Sequence, residues 1–149
     1  MTEKTVQVLC GWLASGLPGD WIDETIHTFR ARGDERIVFT IKFIDPANEG
    51  ASTLDELVAE TRSRLEGFDS AEVLEQSTSP IKGWSSSFLH MRVTGGPDTL
   101  RARVLLLQRG PGDVAEITLL GPDEFAAPMD TAWSRFVQGL TLRPLERDR

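Results

Sequence analysis

Histidine, cysteine and paired carboxylates supply most acid–base, nucleophilic and metal chemistry, and this chain has few of the first two. Its histidines are His27 and His90, and its one cysteine is Cys10. Neither histidine has Asp, Glu or Cys at a metal-ligand spacing such as His-Glu-x-x-His, so each reads as a strand residue that is solvated or hydrogen-bonded. Cys10 beside a histidine would make a nucleophile and its base, but no local motif surrounds it, and an isolated cysteine more often behaves as a small apolar residue. No Gly-x-Gly-x-x-Gly opens a helix, no Gly-Lys-Ser/Thr occurs, and Arg109-Gly110-Pro111-Gly112-Asp113 reads as a hairpin loop rather than a phosphate cradle. Asp55, Glu56 and Glu60 fall in the first turns of an expected helix, where they complement its dipole. The expectation is a protein that is not an enzyme and carries neither cofactor nor metal.

Charge points the same way. Among 149 residues, 16 Lys and Arg face 23 Asp and Glu, a net charge of −7, which disfavours binding to a phosphate backbone and makes nucleic acid an unsuitable partner. Arg30, Lys42, Arg92, Arg101 and Arg103 share one strand parity, which gives either a basic stripe that receives an anionic group or a solvated face. A lone cysteine allows no internal disulfide. Met1-Thr2-Glu3-Lys4 has no apolar run of a signal peptide, and the longest aliphatic run, Val104 to Leu107, falls far short of the about 20 residues of a membrane span. A cytoplasmic protein is expected.

The elements that must position these residues follow from periodicity. Prolines beside Gly or Asp punctuate the chain, and no repeat or linker divides it, so residues 1–149 read as one domain. Arg36 to Ile44 alternates Ile37, Phe39, Ile41 and Phe43 with Arg36, Val38, Thr40 and Lys42, the clearest strand, and Glu24 to Ala31 precedes it across a hairpin turn. Ala71 to Ser79, Trp84 to Thr94, Thr99 to Gln108 and Asp113 to Leu120 are strands joined by connectors too short for parallel crossovers, hence an antiparallel meander. Thr53 to Glu66 has helical spacing, a capping pair in Thr53 and Glu56, and Gly67 as a stop. Pro128 to Leu140 carries the stripe Met129, Trp133, Phe136, Val137 and Leu140. The fold class is α+β, an antiparallel sheet of about six or seven strands with packed helices.

Parity assigns Phe39, Ile41, Phe43, Leu89, Met91, Val93, Val104 and Leu106 to a core face. The opposite parity mixes Ile26, Val38, Phe88, Leu105 and Leu107 with Lys42, His90, Arg92, Arg101 and Arg103. A solvated antiparallel face is polar throughout, so this mixed face calls for a cover, either the second helix or another molecule's apolar segment.

The order of short motifs resembles a known family. Leu17-Pro18-Gly19-Asp20-Trp21, Thr25-Ile26-His27-Thr28-Phe29, Leu65-Glu66-Gly67-Phe68, Gly83-Trp84, Ala132-Trp133-x-x-Phe136 and Leu142-Arg143-Pro144 are similar in order and spacing to the DcrB-related family, and within it to the Eag chaperones of type VI secretion. The resemblance implies a Mog1/PsbP-like fold. It also implies a homodimer whose sheet cradles the apolar N-terminal helices of a secreted effector, without inserting into a membrane itself. The positions it marks for partner binding are Ile26, Thr28, Val38, Thr40, Arg103 and Leu105, with Arg103 standing where the family tends to have glutamine. A scaffold of the same fold that binds a folded protein is the alternative.

Overall fold

Side-chain alternation builds the sheet and two amphipathic stripes dress it. The computed structural model describes residues 3–7, 13–18, 26–44, 53–108 and 114–140. Strands β1 (Glu3–Gln7) and β2 (Leu13–Pro18) form an antiparallel pair of their own. The main sheet has six antiparallel strands, β3 (Ile26–Arg30), β4 (Val38–Ile44), β5 (Ser70–Ser77), β6 (Ser85–Gly95), β7 (Asp98–Gln108) and β8 (Val114–Pro122), in the order β3-β4-β8-β7-β6-β5. The meander β5 to β8 matches the expectation from its short connectors. The pair β1 and β2 was not expected, since Gly16 and Pro18 interrupt any alternation there.

Helix α1 (Leu54–Glu66) starts where Thr53 Oγ1 accepts the Glu56 N–H at 3.2 Å, a cap worth about 1 kcal/mol. Asp55 and Glu56 occupy its first turn and Arg64 its last, in line with the dipole. Leu57 and Val58 bury against Val104, Leu106 and Val114, while Leu65 packs on Leu89, Met91 and Val93. Each such aliphatic side chain contributes about 1.5–3 kcal/mol by leaving water.

Helix α2 (Ala126–Gly139) follows a single 3-10 turn over Asp123–Phe125 and covers the other face. It begins a little before Pro128, which sits within its first turn. Trp133, Phe136 and Leu140 pack toward Leu105, Leu107, Ala115 and Ile117, and the Phe39 ring lies 4.6 Å from Phe136 and 6.0 Å from Trp133. Gly121 lets the helix close, because a Cβ there would meet the Met129 sulfur at 2.8 Å. At the far end Lys82, at φ 49° in the turn Ile81–Trp84, donates from Nζ to the carbonyl of Gln138 at 3.0 Å and to that of Leu140, tying off the last turn.

Register corrects the expected faces. Phe39 pairs with Leu119 and Ile41 with Ile117, so these residues and Phe43 share the α2 face with Leu105 and Leu107, not the α1 face with Leu89, Met91 and Val93. Phe43 is 48% exposed and is no core residue. The basic stripe divides likewise: Arg30 and Lys42 fall on the α1 face, Arg92, Arg101 and Arg103 on the α2 face.

Candidate functional site

Ile26 pairs with Lys42, Thr28 with Thr40, and Arg30 with Val38, so Ile26, Thr28, Val38 and Thr40 line up on the α1 face. They lie on the β3–β4 side of that face, beside Thr118 and Leu120 of β8, while α1 packs on β5, β6 and β7 and reaches Val114 and Ile44 at one end of β8 and β4. Ile26 is 55% exposed, Thr28 is exposed, and Val38, Thr40, Thr118 and Leu120 are half-buried. Lys42 and Glu116 pair at 3.8 Å along one margin of this patch. Among the described residues no helix covers this surface of mostly β-branched side chains on β3 and β4.

Arg103 and Leu105 are not part of it. Both belong to the α2 face, with exposures of 2% and 1%, because β7 is a central strand whose second face lies under α2. The six positions marked by resemblance therefore divide between the two faces, and Arg103 and Leu105 offer no outer surface to a partner protein. Parity within each strand is legible in the sequence, but the phase between β4 and the meander depends on register, and a shift of one residue exchanges the faces.

Beneath α2 the end of the sheet toward the 3-10 turn is charged. On β6 and β7, His90 stands opposite Arg103 and Arg92 opposite Arg101. A β-bulge between Val73 and Glu75 brings Glu72 opposite Arg92 and Glu75 opposite His90, so both acids reach this same face. Arg92 Nη1 donates to Glu72 Oε2 at 3.0 Å, and Arg92 and Arg101 both donate to Asp123 Oδ1, at 3.2 and 2.5 Å. Hydrogen bonds from Arg101 and then Arg92 hold the Asp123 carboxyl below its usual range, and Asp123 in turn raises Arg92. Burial, then Arg103, Arg101 and Arg92, pushes His90 down to about 4, so it is neutral at pH 7.

Arg103 Nη2 donates to Asp130 Oδ1 on α2, whereas Arg103 Nη1 is buried with no partner. Arg103 and His90 are walls of a cavity of about 390 Å³ that also has Phe88, Leu105 and Trp133 in its lining. Sequence reasoning found the arginines but missed their carboxylates. Asp130 stands one turn before Trp133 on the flank of the apolar stripe, and that placement of an acid facing the sheet was the available signal. Cys10, Trp12, Trp21 and the segment Arg109 to Asp113 lie outside the described residues. Among the described residues no three His, Cys, Asp or Glu side chains come together as metal ligands would, and no helix is long and apolar enough to cross a membrane.

No protein-family model matches the chain, and no curated protein sequence does. Solved structures do. A protein of unknown function from Pseudomonas aeruginosa, PA94, described as a putative regulator, superposes with a TM-score of 0.76 at 19% identity over 95% of this chain and 98% of its own. PsbP (CyanoP) from Synechocystis follows the same path with a TM-score of 0.56 at 13% identity, covering 95% of this chain and 92% of its own. The Saccharomyces cerevisiae Ran-binding protein Mog1p gives 0.50 at 14% identity, over 92% and 84%. The fold is Mog1/PsbP-like. Such a fold is a scaffold that unrelated functions share, so what this chain does must be argued from its surfaces.

Proposed function

We propose that this chain is a non-enzymatic, cytosolic chaperone that shields the apolar N-terminal helices of a type VI secretion effector, as the Eag chaperones of the DcrB-related family do. The observation that supports this reading is the patch on β3 and β4 that no described helix covers, where Ile26 stands 55% exposed in line with Thr28, Val38 and Thr40. A helix laid across it buries its aliphatic side chains against β-branched ones, gaining roughly 25 cal/mol per Å² of apolar area removed from water. Thr28, Thr40 and Thr118 form the middle row of the patch, where their hydroxyls hydrogen-bond without burying a charge, and Arg30 and Lys42 stand on either side of that row. A helix of about 20 apolar residues is about 30 Å long, whereas three strands span only about 14 Å, so two copies of the patch suit one such helix better than one copy does. A homodimer is therefore part of the proposal.

The second reading is a scaffold for a folded protein. It is favoured by α2, which occupies the face that carries Phe88, Leu105 and Leu107 and leaves contacts to the edges of the sheet. Mog1p, of the same fold, is named as a Ran-binding protein.

Co-expression with a type VI secretion effector that bears an apolar N-terminal helix, chosen from the genes beside this one, separates the two. The chaperone reading expects a soluble complex that is lost when Ile26→Ser and Val38→Asp are combined, or when the client's apolar helix is deleted, with the circular dichroism of the variant unchanged. A monomer that leaves such a client insoluble overturns it, and capture of the client's folded portion alone supports the scaffold.

A further inference from the structure

The cavity beneath α2 lies on the opposite face of the sheet from the β3–β4 patch, and nothing in the proposed chaperone role uses it. Its volume of about 390 Å³ is in the range of sites for small organic molecules. Its walls mix apolar and polar side chains. Phe88, Leu105 and Trp133 supply apolar surface, with the Phe88 and Trp133 rings 5.6 Å apart. Arg103, His90, Ser77 and Ser134 line it as well, the His90 ring 6.5 Å from that of Phe88.

Arg103 decides what such a molecule would be. A guanidinium carries donors only, and burying one without an acceptor costs more than most charged groups repay. Here Nη2 is used by Asp130, and Nη1 has no hydrogen-bond partner among the described residues. The residue is 2% exposed, so its unmet donor is not a matter of surface solvation. The missing partner is an acceptor, and Asp130 already supplies a carboxylate oxygen to the neighbouring arm of the same guanidinium. Glu75 and Asp130 also border the cavity, so a doubly charged anion such as phosphate would be repelled more strongly than a single carboxylate. Arg103 repels a metal cation, and among the described residues no three side chains come together to ligate one.

We propose that this cavity binds a small organic carboxylate with an apolar body, the carboxylate received by Arg103 and the body lying against Phe88, Leu105 and Trp133. The site is closed on one side by α2, so the ligand and the helix share the same arginine.

Calorimetric titration of the full chain with benzoate and with hexanoate tests this, with benzamide and hexanamide as uncharged counterparts. Saturable binding of at least one acid is expected, with its amide weaker by about tenfold or more, the loss of one charge-assisted hydrogen bond. Arg103→Gln should abolish the binding. Ser134→Trp, on the exposed side of α2 at the cavity lining, should also abolish it by filling the space while leaving Arg103 and Asp130 in place, and it decides the matter if Arg103→Gln fails to fold. The proposal is overturned if neither acid saturates at millimolar concentration, if the amides bind as well as the acids, or if binding survives Ser134→Trp.

Discussion

The two faces of the sheet are held by different physics. Under α1 the contact is aliphatic and dry: Leu57 and Val58 meet Val104, Leu106 and Val114, and Leu89, Met91 and Val93 are all but inaccessible. Under α2 an aromatic cluster of Phe39, Phe88, Trp133 and Phe136 sits beside a layer of three arginines answered by Glu72, Asp123 and Asp130. The first arrangement is non-directional and depends on volume. The second depends on each charge keeping its partner, so it is specific where the first is merely tight.

Deleting volume and deleting a partner should therefore fail differently. The largest loss is expected for Leu106→Ala on the α1 face, about 2–5 kcal/mol by chemical denaturation, since a fully buried side chain leaves a cavity. On the α2 face, Asp130→Ala removes little packing but orphans a guanidinium that is 2% exposed, at an expected cost of roughly 1–3 kcal/mol. Adding Arg103→Met to that variant should recover most of the loss, because an apolar side chain of similar length has no partner to miss. Should the double variant be less stable than Asp130→Ala alone, the contrast between the faces is mistaken.

Acid gives a smaller effect confined to the α2 face. His90 titrates near 6.5 when unfolded and at about 4 when folded. Between those values the unfolded chain holds a proton that the folded chain does not, so stability falls as pH falls through this window. The full shift would correspond to roughly 3 kcal/mol, and screening of a half-buried ring reduces the expected loss to about 1–2 kcal/mol. Denaturation curves of His90→Gln should lack this part of the slope. Asp123, held low by Arg101 and Arg92, adds a loss of the same sign further down, where its folded-state carboxylate takes up its proton. That portion should persist in the His90 variant.

The helices and the meander were legible because their signals are local. Thr53, Glu56 and Gly67 mark the ends of α1, and Met129, Trp133 and Phe136 mark the buried side of α2 without reference to any other segment. What could not be read was the phase between distant strands. Lys42 and Arg101 alternate correctly within β4 and β7, yet they stand on opposite faces, because β4 reaches the meander through β8 in a register that no local pattern records. The same limit hid the candidate sites. Ile26, Thr28, Val38 and Thr40 were found together since they lie on one hairpin, while Arg103 was placed with them although its carboxylate comes from a helix well downstream.

The open edge at β3 governs how the protein behaves in concentrated solution. Ile26 and Phe29, 55% and 47% exposed, sit on a strand whose outer backbone has no neighbouring strand among the described residues. A net charge of −7 keeps copies apart at low ionic strength. Added electrolyte shortens that repulsion to about 10 Å at 0.1 M and about 3 Å at 1 M and leaves the apolar contact intact, so crowding of these molecules is promoted by salt rather than dispersed by it.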